Sequence, residues 1–214
     1  MADNNSSNVD MNDCNESAST QDKEIKPSSD QKKKKITLDI IEYIELFVVT
    51  FSIIVILFSL AFKHCTVDGP SMNNTLEHGD IVVCTNVFYK PKRGDIVVFH
   101  QTGTENKPIV KRVIGVPGDK ISIEYYADTM RVTIEDKDGN IEILEEEYIK
   151  YDYQRYYGSY SYPEIEEGFV FVMGDNRNNS LDSRFESIGF VDTRRILGKV
   201  SFRVAPFNKF GTIR

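Results

Sequence analysis

A serine hydroxyl attacks a carbonyl only when a neighbouring base takes its proton, so each candidate nucleophile in this chain must be matched with a base. Ser71 lies in Gly69-Pro70-Ser71-Met72, between a long apolar run and the first β-like segment. Histidine is the usual base. Here His64, His78 and His100 have no acidic partner recognisable from spacing, and they do not form a metal-ligand pattern such as H-E-x-x-H. Lysine can serve if burial lowers its pKa enough to leave the amine neutral. Lys111 lies in Ile109-Val-Lys-Arg-Val-Ile-Gly-Val116. Strand alternation sets it on the face of Ile109 and Val113, with Arg112 opposite beside Val110 and Ile114. Alternation does not say which face is buried, so a desolvated base and a solvated strand lysine both remain open. Cys14, Cys65 and Cys84 are scattered; Cys14 lies in the polar tail, and Cys65 and Cys84, which could share a compartment, leave a bridge open beside the preferred reading of free thiols. No metal and no cofactor is expected.

These residues need elements to position them. The chain has 214 residues, 40% hydrophobic and 28% charged, enough for one ordinary domain plus extras. A net charge of −7 argues against a nucleic-acid binder, which would need a basic face for phosphates. Residues 1–35 are rich in Asn, Ser, Asp and Lys and end in Lys32-Lys33-Lys34-Lys35. Such a stretch buries too little to offset its ordering entropy, so it is expected to be a disordered tail.

Residues 36–45 follow, with Asp39, Glu42 and Glu45 recurring every three positions in a helical lead-in. Residues 46–62 then form an apolar run without a charge, close in length to the roughly 30 Å thickness of a bilayer core. A core helix would carry polar residues on some face, and a cleaved secretory signal would have a far shorter n-region. A retained single-pass anchor over residues 36–63 is therefore expected. Four lysines precede the span, and only Lys63 and His64 follow closely, which places the N-terminus in the cytoplasm and residues 64–214 outside.

The exterior part reads as β structure. Runs rich in Val, Ile and Phe recur at 80–84, 95–99, 109–116, 120–126, 130–135, 140–144, 169–173 and 199–204. Gly and Pro punctuate them, and Asp136-Lys-Asp-Gly-Asn140 is a hairpin turn. The expectation is an all-β sandwich or barrel-like domain. Residues 145–162 show no periodicity and read as a solvated surface excursion. Phe88-Tyr89-Lys90 fits either a membrane-interface cluster or a plain loop.

Four motifs resemble those of the bacterial type I signal peptidases, in the family's order and behind an anchor like that of single-anchor Gram-positive members. They are Gly69-Pro-Ser-Met-Asn-Asn-Thr-Leu76 followed by Gly79-Asp80; Gly94-Asp-Ile-Val-Val-Phe99; Lys111-Arg-Val-Ile-Gly-Val-Pro-Gly-Asp119; and Gly174-Asp-Asn-Arg-Asn-Asn-Ser-Leu-Asp-Ser-Arg184. The resemblance implies a membrane-bound serine endopeptidase that removes signal peptides from exported preproteins, cutting after small residues. It implies Ser71 as nucleophile, Lys111 as general base and Ser180 as the group orienting the lysine. Asp175 would pair with Arg112, and Asp182 with Arg184, around the site. Partners would be preproteins and the lipid bilayer, with no nucleic acid, and the chain would act as a monomer.

Two positions depart from the usual pattern. Gly69 stands where many members carry an oxyanion-binding serine, which leaves backbone N–H groups, that of Ser71 first, as donors. Asn74 stands where proline is usual, and its expected effect is a softer turn. A catalytically inactive scaffold relative would lack the serine or the lysine, and both are present.

Overall fold

The computed structural model describes residues 29–101, 107–126, 129–149 and 158–213. The tail expected to be disordered lies largely outside these. Its last residues do not behave as expected, because helix α1 (Ser29–Ala61) begins seven positions before the anticipated lead-in and takes in the lysine run. Lysine is a good helix former, and a helix already nucleated propagates through it at little cost. Within α1, Thr37–Ala61 is long and apolar enough to cross a membrane, and none of its most apolar window is buried inside the protein. At 1.5 Å per residue it spans about 37 Å. Among the described residues this is the one helix long and apolar enough for a single-pass membrane protein, with the bulk of the chain following it.

The rest of the described chain is mostly β. In order come β1 (Phe62–Thr66), β2 (Ile81–Thr85), β3 (Ile96–His100), β4 (Pro108–Gly115), β5 (Lys120–Tyr125) and β6 (Met130–Glu135). They are followed by β7 (Ile141–Ile143), β8 (Gly158–Ser161), β9 (Phe169–Met173), β10 (Val191–Asp192), β11 (Ile196–Ala205) and β12 (Gly211–Thr212). The large sheet runs β1-β2-β11-β3-β4-β9-β10, with β12 on β11, and the small sheet runs β7-β6-β5-β8. The barrel expectation is corrected here: neither sheet closes, and the large one ends in β1 and the two-residue β10.

Packing explains the arrangement. Strands β5 and β6 alternate buried and partly exposed side chains, turning Ile121, Ile123, Met130, Val132 and Ile134 inward. These close on Ile114, Phe171 and Met173 of the large sheet. Gly115 permits the approach, since a Cβ there would stand 2.6 Å from Ile165 Cδ1 and 2.7 Å from Ile121 Cδ1. A second cluster gathers Val82, Cys84, Val98, Val110 and Val200 under Met72 and Leu76. A third holds Val97, Phe99, Val113, Val170 and Val172.

Strand β4 contributes to all three clusters, so both its faces are covered and the question of which face is buried has no single answer. The β6–β7 turn is fixed by Asp136, whose Oδ1 accepts from the N–H groups of Asp138 and Asn140, each at 2.9 Å. Cys65 and Cys84 are free thiols on adjacent strands, paired with Val82 and Lys63 rather than with each other.

Residues 145–162 are not simply a solvated excursion. Ile149 is buried, Glu146 and Tyr148 make interior contacts, and Gly158–Ser161 adds an edge strand to β5. Residues 150–157 lie outside the described residues. In the 88–90 cluster, Phe88 is fully exposed, while Tyr89 Oη donates inward to Asp95 Oδ2 at 2.8 Å.

Candidate active site

Ser71 stands in the irregular segment between β1 and β2, which buried Met72 and Leu76 pin into the core. Turn hydrogen bonds from Asn73 N to Pro70 O (3.0 Å) and from Leu76 N to Met72 O (2.8 Å) tighten it. Asn74 adopts φ 88°. Proline is locked near −65° and could not take that angle, so this turn differs in shape, not merely in stiffness, from one built around proline.

The 174–184 segment holds the serine loop from the other side. Asn176 N donates to Ser71 O and Asn176 Nδ2 to Pro70 O, both at 3.0 Å. A Cβ on Gly174 would fall 2.4 Å from Ser71 O and 2.2 Å from Ser180 Oγ, so only glycine admits this approach.

Lys111 reaches the serine from β4. Its Nζ donates to Ser71 Oγ at 2.7 Å and to Val110 O at 2.9 Å, and the residue is 4% exposed. Burial pushes its pKa down to about 8; the charges of Asp182 and Asp175 pull the other way without prevailing, and Arg184 adds to the lowering. Pairing between β4 and β9 stops at Arg112↔Met173. The chain leaves the sheet at Gly174, and there the Ser71 loop meets the lysine.

Arginine–carboxylate pairs surround this corner. Arg112 forks onto Asp175 through Nε (2.9 Å) and Nη2 (2.7 Å) and donates from Nη1 to Gly94 O (2.9 Å). Asp175 also receives Thr75 Oγ1. Arg184 forks onto Asp182 at 2.8 and 2.9 Å, and Asp182 accepts from Gly174 N at 3.0 Å. Burial alone would raise the Asp182 pKa, but Arg184 overcomes it and holds the carboxyl below its usual range.

Ser180 does not hydrogen-bond Lys111 in this structure. Its buried Oγ has no partner of ordinary geometry among the described residues and stands near Asp182. Gly69 offers no hydroxyl, and its N–H donates to His78 Nδ1 at 3.3 Å.

Sequence reasoning missed a third pair, Arg177–Glu146, with side chains only 2% and 3% exposed. Arg177 lies within a recognised motif, but Glu146 is the middle of three consecutive glutamates, and nothing local distinguishes it. Tyr148, whose ring lies 3.9 Å from the Arg112 guanidinium carbon, was missed for the same reason.

Residues 40–205 match the family model described as signal peptidase, peptidase S26. Signal peptidase IB of Staphylococcus aureus strain COL is 37% identical over 190 residues, covering 80% of this chain and 93% of the relative. Signal peptidase I of Bacillus caldolyticus is 37% identical over 163 residues, covering 70% and 82% respectively. A crystal structure of a signal peptidase I from Enterococcus faecalis V583 is 29% identical and covers 53% of this chain and 98% of its own, with a TM-score of 0.39.

Proposed function

The chain belongs to the signal peptidase family, peptidase S26, and from that premise we propose a membrane-bound serine endopeptidase that cuts signal peptides from exported preproteins with Ser71 and Lys111. The observation that carries the reading is the 2.7 Å contact between Lys111 Nζ and Ser71 Oγ at a buried lysine. With Lys111 neutral, the same contact runs the other way, and Ser71 O–H donates to Nζ.

As Oγ bonds to the scissile carbonyl carbon, its proton passes to Lys111. Charge develops on the carbonyl oxygen, where the Ser71 N–H is the proposed donor. The ammonium then protonates the departing amine as the C–N bond breaks. Lys111, neutral again, takes a proton from water as that water attacks the acyl-serine ester, and returns it to Ser71 Oγ as the ester C–O bond breaks. The Val110 carbonyl keeps Nζ aimed at Oγ throughout. Ser180 is the proposed second holder of the ammonium while Oγ is acylated. The Asp175–Arg112 and Asp182–Arg184 pairs keep the two loops in register.

In the proposed arrangement residues 1–35 are cytoplasmic, 36–63 cross the membrane and 64–214 work outside. The anchor raises the effective concentration of membrane-inserted substrates.

The test is cleavage of a preprotein whose signal ends in Ala-x-Ala by the full chain in detergent. Ser71→Ala and Lys111→Ala, both folded, are expected to fall by about 10⁴-fold or more. The parental rate should rise through pH 8 as Lys111 loses its proton. A parent inert on several preproteins, or either variant still cutting, overturns the reading.

A further inference from the structure

Between β7 and β8 lie two contacts that none of these roles uses. The Glu146 carboxylate receives both terminal nitrogens of Arg177, and Tyr148 Oη adds a third hydrogen bond at 2.8 Å. Arg177 Nε in turn donates to Gly174 O at 3.1 Å, at the glycine that abuts Ser71 O. Tethered in this way, Tyr148 lays its ring over Arg112, 3.9 Å from guanidinium carbon to centroid. A cation over an aromatic face is attractive, more so where water is excluded. Arg112 follows Lys111 directly, and its partner Asp175 grips Thr75, in the turn that carries Ser71. The ring therefore covers a link between the strand bearing the base and the loop bearing the nucleophile.

We propose that Tyr148, tethered by Glu146, is a positioning residue for the Ser71–Lys111 pair, sealing the Arg112–Asp175 link against water. The inference rests on the Ser71–Lys111 reading above. Around Lys111 stand Ser71 and the Val110 carbonyl in direct contact, with Asp175, Asp182 and Arg184 acting through their charges; burial outweighs the two carboxylates. Losing the ring admits water to this wall, eases the desolvation of Lys111 and lets its ammonium persist to higher pH.

The test measures the pH midpoint for acetylation of Lys111 by acetic anhydride, read by mass spectrometry on the full chain in detergent, beside the pH profile of cleavage. The parental midpoint is expected near 8. Tyr148→Ala should raise it by about one unit. Cleavage at pH 7 then falls about tenfold, the change in neutral fraction for one unit, and the gap closes by about pH 10. Tyr148→Phe keeps the ring and should restore both readouts most of the way. Tyr148→Leu keeps bulk without a flat face and should move the midpoint the same way by less, which serves if the alanine form does not fold.

A Tyr148→Ala or Tyr148→Leu form that folds with an unchanged midpoint, or that slows equally at every pH, overturns the inference and leaves the Ser71–Lys111 reading standing. Failure of that reading shows separately, as a parent that does not cut or a Ser71→Ala form that does.

Discussion

Lys111 and Arg112 are neighbours on β4, both buried, and the regions around them treat charge in opposite ways. Arg112 faces Asp175, just as Arg177 faces Glu146 and Arg184 faces Asp182. In that wall each buried cation meets a carboxylate, and the charges are fixed because a guanidinium does not give up its proton. In the corner beside it, Lys111 meets a hydroxyl and a carbonyl, and no carboxylate bonds it among the described residues. An ammonium with no bonded counter-charge in a dry site gives up its proton at a lower pH instead. The wall supplies constant electrostatics and the corner a proton that can move, and the proposed chemistry calls on both.

The contrast breaks most severely if a wall charge is orphaned. Asp175→Asn leaves Arg112 buried without its counter-ion, and about 3–5 kcal/mol of stability should be lost. Chemical denaturation of the two forms measures it, and a loss comparable to that of an ordinary surface substitution would mean the wall is hydrated.

Next in size is the corner's opposite response. Lys111 has its pKa lowered on folding, from 10.5 to about 8. Below pH 8 both states hold the proton, and the folded state bears the full penalty of burying it. Between about 8 and 10.5 the folded protein has released the proton and the unfolded chain has not, so stability rises with pH. Lys111→Met should therefore stabilise by about 3 kcal/mol at pH 7, and that gain should fade as pH climbs through this window. A gain independent of pH would show that packing, not charge, accounts for it.

Smaller effects sharpen the picture at the edges. Asn74→Pro demands that a residue at φ 88° move to about −65°, so the Ser71 turn must rebuild. A loss of about 1–3 kcal/mol is expected, with a slower cut, from melting and cleavage measured together. Smallest is Arg194→Ala, which removes the same Arg–Asp fork where the arginine side chain, 86% exposed, is open to water. The melting temperature should stay close to where it was, because an exposed arginine exchanges one set of solvating partners for another.

Much of the architecture is legible in the sequence, for reasons tied to particular residues. The charge-free run at 46–62 announces a membrane span, and strands such as Phe169–Met173 and Ile96–His100 announce themselves by their Val and Phe content. Strand β1, with Lys63 and His64 in it, and Gly158–Ser161, with no buried residue, carry no such signal. They are strands because β2 and β5 offer free edges, which is a fact about partners. The Arg112–Asp175 and Asp182–Arg184 contacts of the site were anticipated only through motif resemblance, whereas Glu146 and Tyr148 had no motif to mark them.

By itself, then, the sequence determined the local elements: one membrane-length helix, a succession of short strands, a tight hairpin at 136–140, and a serine and a lysine set in two of those pieces. Periodicity and turn chemistry act over a few residues, so a few residues suffice to read them. Only the tertiary structure decided that both faces of β4 are covered, that Lys111 lies 2.7 Å from Ser71, and which glutamate of three meets Arg177. Desolvation depends on what the rest of the chain lays over a side chain. No spacing along the strand itself encodes that cover.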